Sequence, residues 1–300
     1  MNSKNIYIYG AAAHAWPTDD TTPLDLKLQL QAAWGKRFRR INHFIELTLI
    51  GAKSCVDHSK AAVQEDCGIY LASEQGNIAD VVNMTASLYR ESEAPMPITF
   101  LNISNNMAGF YLAQNLKLHS SNLTIAHQTF PFETALDIAT FNISCSQKKA
   151  PSALVGGVEE CASPLADHRE RMGIAENAPL AEGSSWLHIG SGETASPLAC
   201  CKWVKFFSNK SALIAFLKEQ PLKSVTHLTT GSNISDSMHQ YFTSALAISH
   251  RYDCRQTAPF HHTHCAYTIA SFVTAKQGEG LLHINRDKQD RYAAVLISML

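Results

Sequence analysis

A strand that ends in two glycines and two acids is the most informative feature of the chain. The sequence of this segment is Ser152-Ala-Leu-Val-Gly-Gly-Val-Glu-Glu160. The unbroken apolar run is typical of a strand that is covered on both faces. Two consecutive glycines indicate a turn with unusual backbone angles. Alone, this pattern predicts only a strand and a turn, so the rest of the chain has to supply the fold.

Short apolar runs of the same kind alternate with helical patterns along the chain. Strands are predicted at 6–9, 68–71, 98–101, 123–126, 153–155, 186–189, 202–206, 225–228, 281–284 and 293–297, and helices at 44–56, 78–89, 132–141 and 236–247. Such alternation predicts an α/β fold with helices on both faces of the sheet. We expect one domain, residues 1–300, built from two similar halves at about 1–166 and 180–300.

Composition narrows the classes of function. The chain has 300 residues and a formal net charge of -1, and 17% of its residues are charged. This balance argues against nucleic-acid binding and against a polybasic membrane anchor. No apolar stretch approaches the roughly 20 residues of a spanning helix, and the start lacks the features of a signal peptide. We therefore expect a cytoplasmic protein with no membrane span and no nucleic-acid partner.

Two later segments carry histidines beside small residues. In Val225-Thr-His-Leu-Thr-Thr-Gly-Ser-Asn-Ile-Ser-Asp236, a predicted strand would deliver His227 at its carboxyl end, where it could face a cleft. His264 stands just before a small-residue helix start, which favours a neutral imidazole. The simpler interpretation is that neighbouring hydroxyls satisfy both rings.

The cluster His261, His262, His264 and Cys265 raises the question of a metal. A zinc site needs about four converging side chains. Adjacent residues such as 261 and 262 rarely reach one ion, and no second cluster stands at finger-like spacing. We expect no metal and no cofactor.

Taken in order, these segments resemble the β-ketoacyl-carrier-protein synthases of the thiolase superfamily. Residues 226–236 are similar to the first histidine motif of that family, and His264-Cys-Ala-Tyr-Thr-Ile-Ala-Ser271 is similar to the second. Asn105-Asn-Met-Ala-Gly109 resembles the family's N-x-x-A-G helix start, and Pro179-Leu-Ala-Glu-Gly-Ser-Ser-Trp-Leu-His-Ile189 resembles its G-E-G-A strand. The resemblance implies a thiolase-like layered α/β/α/β/α fold with two similar halves.

The main departure from the family lies at the nucleophile. The resemblance implies a cysteine after a strand that reads roughly I-A-T-A-C, but this chain has Leu123-Thr-Ile-Ala-His-Gln-Thr-Phe-Pro-Phe132. One alignment puts Thr129 at the cysteine position and another puts Gln128 there, and neither is a thiol. Cys145 and Cys161 fall beyond the following helix and strand.

The chain-length factors are ketosynthase-like subunits with glutamine at that position, and Ala126-His-Gln128 resembles their A-E-Q stretch. The resemblance implies a non-catalytic subunit that forms a heterodimer with a cysteine-bearing ketosynthase and serves an acyl carrier protein. It implies polyketide or fatty-acid-type biosynthesis, and the short chain further suggests the aryl-polyene pathways. No catalytic residue is then expected, and Gln128, Thr129, His227 and His264 become vestigial positions.

The same resemblance assigns bulky residues to a substrate tunnel or a subunit interface: Ile98, Phe100, Phe130 and Phe132. Phe130 and Phe132 also fit a simple core. The basic run Lys36, Arg37, Arg39 and Arg40 is typical of a solvated face, or it could steer an acidic carrier protein.

Two other functions stay open on the sequence alone. The chain could be a divergent acyltransferase or hydrolase that uses Thr129, with His227 or His264 as the base. It could also be a stand-alone binding module for acyl chains or for a carrier protein.

Overall fold

The computed structural model describes residues 5–19, 24–91, 94, 96–192, 196–255, 257–259, 261–276 and 278–300. The strands are β1 (Ile6–Thr18), β2 (Gly68–Ser73), β3 (Asn122–Ala126), β4 (Ser152–Glu159), β5 (Leu180–Gly190), β6 (Ala199–Phe207), β7 (His227–Thr230), β8 (His250–Arg251), β9 (Gly280–Arg286) and β10 (Tyr292–Met299). The α-helices are α1 (Lys27–Trp34), α2 (His43–Asp57), α3 (Ile78–Ala86), α4 (Pro97–Asn102), α5 (Asn106–Leu116), α6 (Pro131–Cys145), α7 (Leu165–Met172), α8 (Lys210–Glu219), α9 (Asp236–Leu246) and α10 (His264–Ala275).

The described strands join in one mixed sheet with the order β3-β2-β4-β5-β1-β6-β10-β9-β7-β8. When the strands are numbered along the chain within each half, β1–β5 and β6–β10, both halves have the same order. From the outer edge to the centre it is third, second, fourth, fifth and first strand. The directions also repeat, because β2 is parallel to β3 and β4 while β7 is parallel to β8 and β9. The first strands of the halves, β1 and β6, meet antiparallel at the centre. The ends of the halves at 166 and 180 stay a prediction.

Three hydrophobic clusters account for the layers. The central cluster combines α6 and α10 with strands of both halves. A second cluster lies under α1, α2 and α5 on the first half, and a third lies under α8 and α9 on the second. Each half of the sheet forms one layer, so the order of layers is helix, first half-sheet, helix, second half-sheet and helix. This order confirms the predicted α/β/α/β/α fold class. None of the helices in the described ranges combines the length and apolar character that a bilayer crossing requires.

The two glycines of β4 are explained by what lies above and below the strand. A Cβ at Gly156 would lie 2.2 Å from the ring of Trp186, its antiparallel neighbour on β5. A Cβ at Gly157, on the other face, would lie 2.6 Å from Cβ of Ala266 and 2.9 Å from Cβ of Thr263. Because the glycines have no side chain, the Trp186 ring of β5 can pack on one face of β4 and the start of α10 can pack on the other.

Two sequence predictions of strands were wrong. Residues 98–101 lie in α4, not in a strand, because Pro97 occupies the first helical turn and fixes a helical φ. A short apolar run does not distinguish a strand from a helix by its periodicity. The strand predicted at 225–228 is displaced and covers His227–Thr230, after a 3₁₀ turn at Leu222–Ser224.

The close packing at Gly156 gives a test of the fold. We expect Gly156→Ala to lower the free energy of unfolding by about 1–3 kcal/mol, because the added methyl group overpacks the buried Trp186 ring. Urea unfolding followed by circular dichroism measures this change. Gly68→Ala is the control, since its Cβ would first meet the ring of Tyr70 at 3.0 Å, and the next backbone atom lies 3.6 Å away. Equal losses in the two variants would contradict the account of Gly156.

Candidate functional site

The turn between β3 and α6 is the place where the sequence analysis expected a missing nucleophile. Strand β3 ends at Ala126 and α6 begins at Pro131. The residue that caps the helix is Phe130, with φ 51° and ψ 48°, and its side chain makes no capping hydrogen bond. This left-handed conformation is uncommon for a bulky residue and requires support from its surroundings. Thr129 and Gln128 lie one and two residues before this cap.

Gln128 and Thr129 line a cleft of about 280 Å³ on the protein surface. Gln128 is exposed and Thr129 is half-buried. The Thr129 hydroxyl accepts a hydrogen bond from Nη2 of Arg291 at 3.5 Å, and the Thr129 amide donates to Nδ1 of His127 at 3.0 Å. The cleft is lined by Glu74, Gln75, residues 128–131, residues 171–174, Ser232, Asn233, His262 and residues 285–289.

The cleft carries both signs of charge. Arg171 and Lys288 are exposed at its wall, and Arg286 binds Asp290 with Nε to oxygen at 2.8 Å. In the same lining, Nδ1 of His262 contacts a carboxylate oxygen of Glu74 within hydrogen-bond distance. Guanidinium and ammonium groups around a polar cleft suit an anionic ligand such as a phosphate ester.

His227 does not reach this cleft. It is the first residue of β7, so it lies at the amino end of the strand rather than at the predicted carboxyl end. Its Nδ1 lies 2.9 Å from the Thr226 hydroxyl, and its ring centroid is 5.5 Å from that of Phe272. The residues that do follow β7 into the cleft are Ser232 and Asn233.

His264 is the first residue of α10 and is also absent from the cleft lining. Its Nδ1 lies 3.1 Å from the Thr268 hydroxyl, and burial lowers the pKa of its imidazole to about 4. Phe272 lies two turns beyond His264 on α10, which is about 12 Å along the helix axis. His227 therefore packs against a distant turn of α10, whereas His264 is the first residue of that helix. The structure thus does not bring the two sequence-predicted histidines together.

The bulky residues separate into two groups. Phe132 is 1% exposed and belongs to the central core, and Phe130 is 7% exposed and lines the cleft. Ile98 is half-buried and Phe100 is 61% exposed, both on α4.

The acids that follow the two glycines have a structural role that sequence reasoning missed. Glu159 accepts hydrogen bonds from the Ser73 hydroxyl and from the amides of Glu74 and Gln75, at 2.9–3.0 Å. Glu160 accepts from the amide of Ala79 at 2.8 Å. Burial raises the pKa of Glu159 to about 7 and that of Glu160 to about 8. These carboxyl groups hold the loop that follows β2 and the start of α3.

Comparison with known proteins shows which solved structures share this architecture. No protein-family model matches the sequence, and a search of curated proteins finds no significant match. Solved structures do match. The ishigamide ketosynthase/chain length factor aligns over 99% of this chain and 99% of its own, with a TM-score of 0.75 and 17% identity. A β-ketoacyl synthase from Burkholderia phymatum aligns over 99% of this chain and 100% of its own, with a TM-score of 0.74 and 9% identity.

The chain has the thiolase-like ketosynthase fold. A type II polyketide synthase acyl-carrier protein in complex with its ketosynthase, bound to the hexaketide, also aligns, over 99% of this chain and 100% of that one. The TM-score there is 0.72 and the identity is 13%. At such identities the likeness concerns the fold, so the function of this ketosynthase-fold chain has to be argued from its own residues.

A partly buried ion pair between His43 and Glu182 gives a pH test. Nε2 of His43 lies 2.7 Å from Oε2 of Glu182, whose other oxygen accepts from the Cys161 amide at 2.9 Å. Burial lowers the pKa of His43, but hydrogen bonds to Glu182 and Glu46 outweigh it and raise the pKa to about 10. The stabilisation is therefore complete below about pH 6.5 and is lost as the pH rises through about 10.

We expect His43→Gln to lower the free energy of unfolding by about 2 kcal/mol at pH 6, and by much less at pH 10. Urea unfolding at pH 6, 8 and 10 measures the difference from wild type. His119→Gln, at an exposed histidine, is the control and should leave stability unchanged throughout. A His43→Gln deficit that is constant from pH 6 to 10 would contradict the ion-pair account.

Proposed function

We propose that this chain is a non-catalytic, chain-length-factor-like subunit of a ketosynthase heterodimer. The observation that carries the proposal is the turn from β3 to α6, which reads His127-Gln-Thr-Phe130. A condensing enzyme holds its acyl chain as a thioester on a thiolate, and a helix amino terminus stabilises that thiolate. Here Phe130 is the cap residue of α6, and residues 127–130 include no cysteine.

The other thiols near the turn do not replace the missing one. Cys145 is the last residue of α6 and stands at the far end of the helix. Cys265 lies in the central core, and burial together with the adjacent Glu133 raises the pKa of its thiol well above 9. A buried, protonated thiol is a poor nucleophile.

A partner is supported by the exposed side of the first half. Strand β3 is an outer strand and pairs only with β2 in the described sheet, and Leu123 on it is 39% exposed. Of the thirteen large hydrophobic side chains exposed in the described part of the chain, eight stand between α3 and β3. They are Val81, Leu88, Tyr89, Met96, Phe100, Leu101, Phe110 and Leu123. An unpaired strand edge with apolar neighbours suits burial against another subunit.

The partner that we propose for this side is a cysteine-bearing ketosynthase of the same fold, which would extend the sheet across the β3 edge. Ile98 and Phe100 on α4 would then border the partner's acyl tunnel, and Phe130 would fill the pocket on this side. Two of the similar structures are described as a ketosynthase/chain length factor and as a ketosynthase with its acyl-carrier protein, which supports this choice.

A carrier protein is the second proposed partner. Lys36, Arg37, Arg39 and Arg40 are all exposed in the segment between α1 and α2. They therefore form a local cationic surface that would attract an acidic carrier protein before docking. The aryl-polyene pathway remains a prediction from the sequence resemblance, and a neighbouring gene for a cysteine-bearing ketosynthase of that pathway would support it.

Co-expression with such a ketosynthase tests the heterodimer. We expect a one-to-one complex on size exclusion, and we expect Leu123→Asp to weaken it at least tenfold because a charge would be buried at the strand edge. Leu28→Asp is the matched control, since Leu28 is 80% exposed on α1, away from the β3 edge. A stable monomer that does not bind the ketosynthase would contradict the proposal and favour the stand-alone binding module. Assembly that survives Leu123→Asp would exclude the β3 edge as the interface.

An enzyme that uses Thr129 is the second candidate function, because Thr129 shares its cleft with His262, which is hydrogen-bonded to Glu74. A nucleophilic threonine needs a neutral histidine or another base nearby, and a carboxylate can orient that histidine. The sequence-proposed bases His227 and His264 do not line the cleft, whereas His262 does.

Intact mass spectrometry after incubation with acyl- or malonyl-carrier protein separates the two functions. We expect no covalent adduct on the chain, because the hydroxyl of Thr129 accepts a hydrogen bond from Arg291 and the turn contains no cysteine. An adduct that is lost in Thr129→Ala and kept in Ser232→Ala, a second hydroxyl in the cleft, would overturn the non-catalytic role.

A further inference from the structure

Three side chains that are distant in sequence converge beneath the cleft. Glu133 stands in the first turn of α6, Cys265 stands in the first turn of α10, and His283 is on β9. They are 1%, 4% and 1% exposed. One oxygen, the sulphur and one ring nitrogen all lie within 4.8 Å of one another. A carboxylate, a thiolate and an imidazole are the ligand types that Zn²⁺ accepts.

The imidazole of His283 shows that the cluster is incomplete by itself. Both of its ring nitrogens are buried, and neither has a hydrogen-bond partner among the residues that the structure describes. Its Nε2 lies 3.9 Å from Oε1 of Glu133, which is too far for a hydrogen bond. An unsatisfied buried nitrogen is destabilising, so the ring gains from a ligand that those residues do not supply.

The carboxyl group of Glu133 is already oriented. Its Oε1 accepts a hydrogen bond from Nδ2 of Asn285 at 2.8 Å. Hydrogen bonds of this kind fix the geometry of metal-ligating carboxylates and tune their affinity. Asn285 also lines the cleft, so this one side chain links the buried cluster to the cleft.

Charge balance favours a divalent ion. Glu133 and Cys265 are both buried, so a carboxylate and a thiolate side by side here would be costly without a compensating positive charge. A metal ion displaces their protons, and one Zn²⁺ with one carboxylate and one thiolate is neutral overall. Neutrality minimises the cost of placing charge in the core.

We propose that Glu133, Cys265 and His283 bind one Zn²⁺ ion, with a fourth position open toward the cleft. Zinc bonds of about 2.0–2.3 Å put tetrahedral ligand atoms about 3.4–3.8 Å apart, so the observed spacing requires movements of about 1 Å or less. The thiolate selects Zn²⁺ over Mg²⁺ and Ca²⁺. The sequence-based expectation of no metal considered only chain neighbours of Cys265, whereas its partners here come from α6 and β9.

Cobalt substitution tests the site with a readout that does not depend on any activity or partner. The chelator-treated full chain is titrated with Co²⁺ and then with Zn²⁺. We expect one equivalent of Co²⁺ with a thiolate-to-cobalt charge-transfer band, displacement by Zn²⁺, and a higher Tm with Zn²⁺. Cys265→Ser and His283→Gln should each weaken binding about a hundredfold or more, and Asn285→Ala should weaken it about tenfold.

Two controls separate this site from other donors. Cys201→Ser removes another buried thiol of the central core, and His262→Gln removes a histidine of the cleft, and both should keep the band. Absence of the band, its survival in both Cys265→Ser and His283→Gln, or its loss in His262→Gln would overturn the proposal. Circular dichroism checks folding, and if Cys265→Ser does not fold, His283→Gln and Asn285→Ala decide the matter.

Discussion

The close approach of α10 to β4 is the constraint on which the central layer depends. Gly157 has no side chain, so Thr263 and Ala266 at the start of α10 lie against the strand. Any Cβ at this point would push the helix away from the sheet. Since α10 and α6 share one hydrophobic cluster with strands of both halves, the contact also fixes how the halves are joined.

The candidate site is a consequence of this central layer. Helix α6 begins at the cleft and α10 begins beside β4, so the amino ends of both helices lie near the cleft floor. Acids in the region are buried and hold backbone amides, as Glu159 does for the loop after β2. The result is a cleft in which the bulky Phe130 occupies the cap of α6.

The two ends of the sheet differ in a way that bears on assembly. Strand β3 forms one outer edge and has five residues, with Leu123 exposed on it. The opposite edge, β8, has only two residues, which is too short to offer a long template for pairing. The asymmetry supports the proposal of a second subunit at the β3 edge, whereas the cluster of Glu133, Cys265 and His283 lies in the core.

The sequence by itself determined the α/β layering, most of the strands and the absence of a thiol between residues 123 and 132. Each of these depends on local patterning or on residue identity, as in the apolar runs of β2, β4 and β10. It could not determine that residues 98–101 form a helix, since a four-residue apolar run fits either structure. It also misplaced His227, because the end of a parallel strand is set by its pairing with β9.

Only the tertiary structure decided the roles of the buried polar groups. Glu159 and Glu160 follow two glycines in the sequence, but their partners come from segments about 80 residues away. Cys265 joins Glu133 and His283 only because α6, α10 and β9 meet in the core. Burial and long-range contact set the protonation and ligand chemistry of such groups, and neither is written in the local sequence.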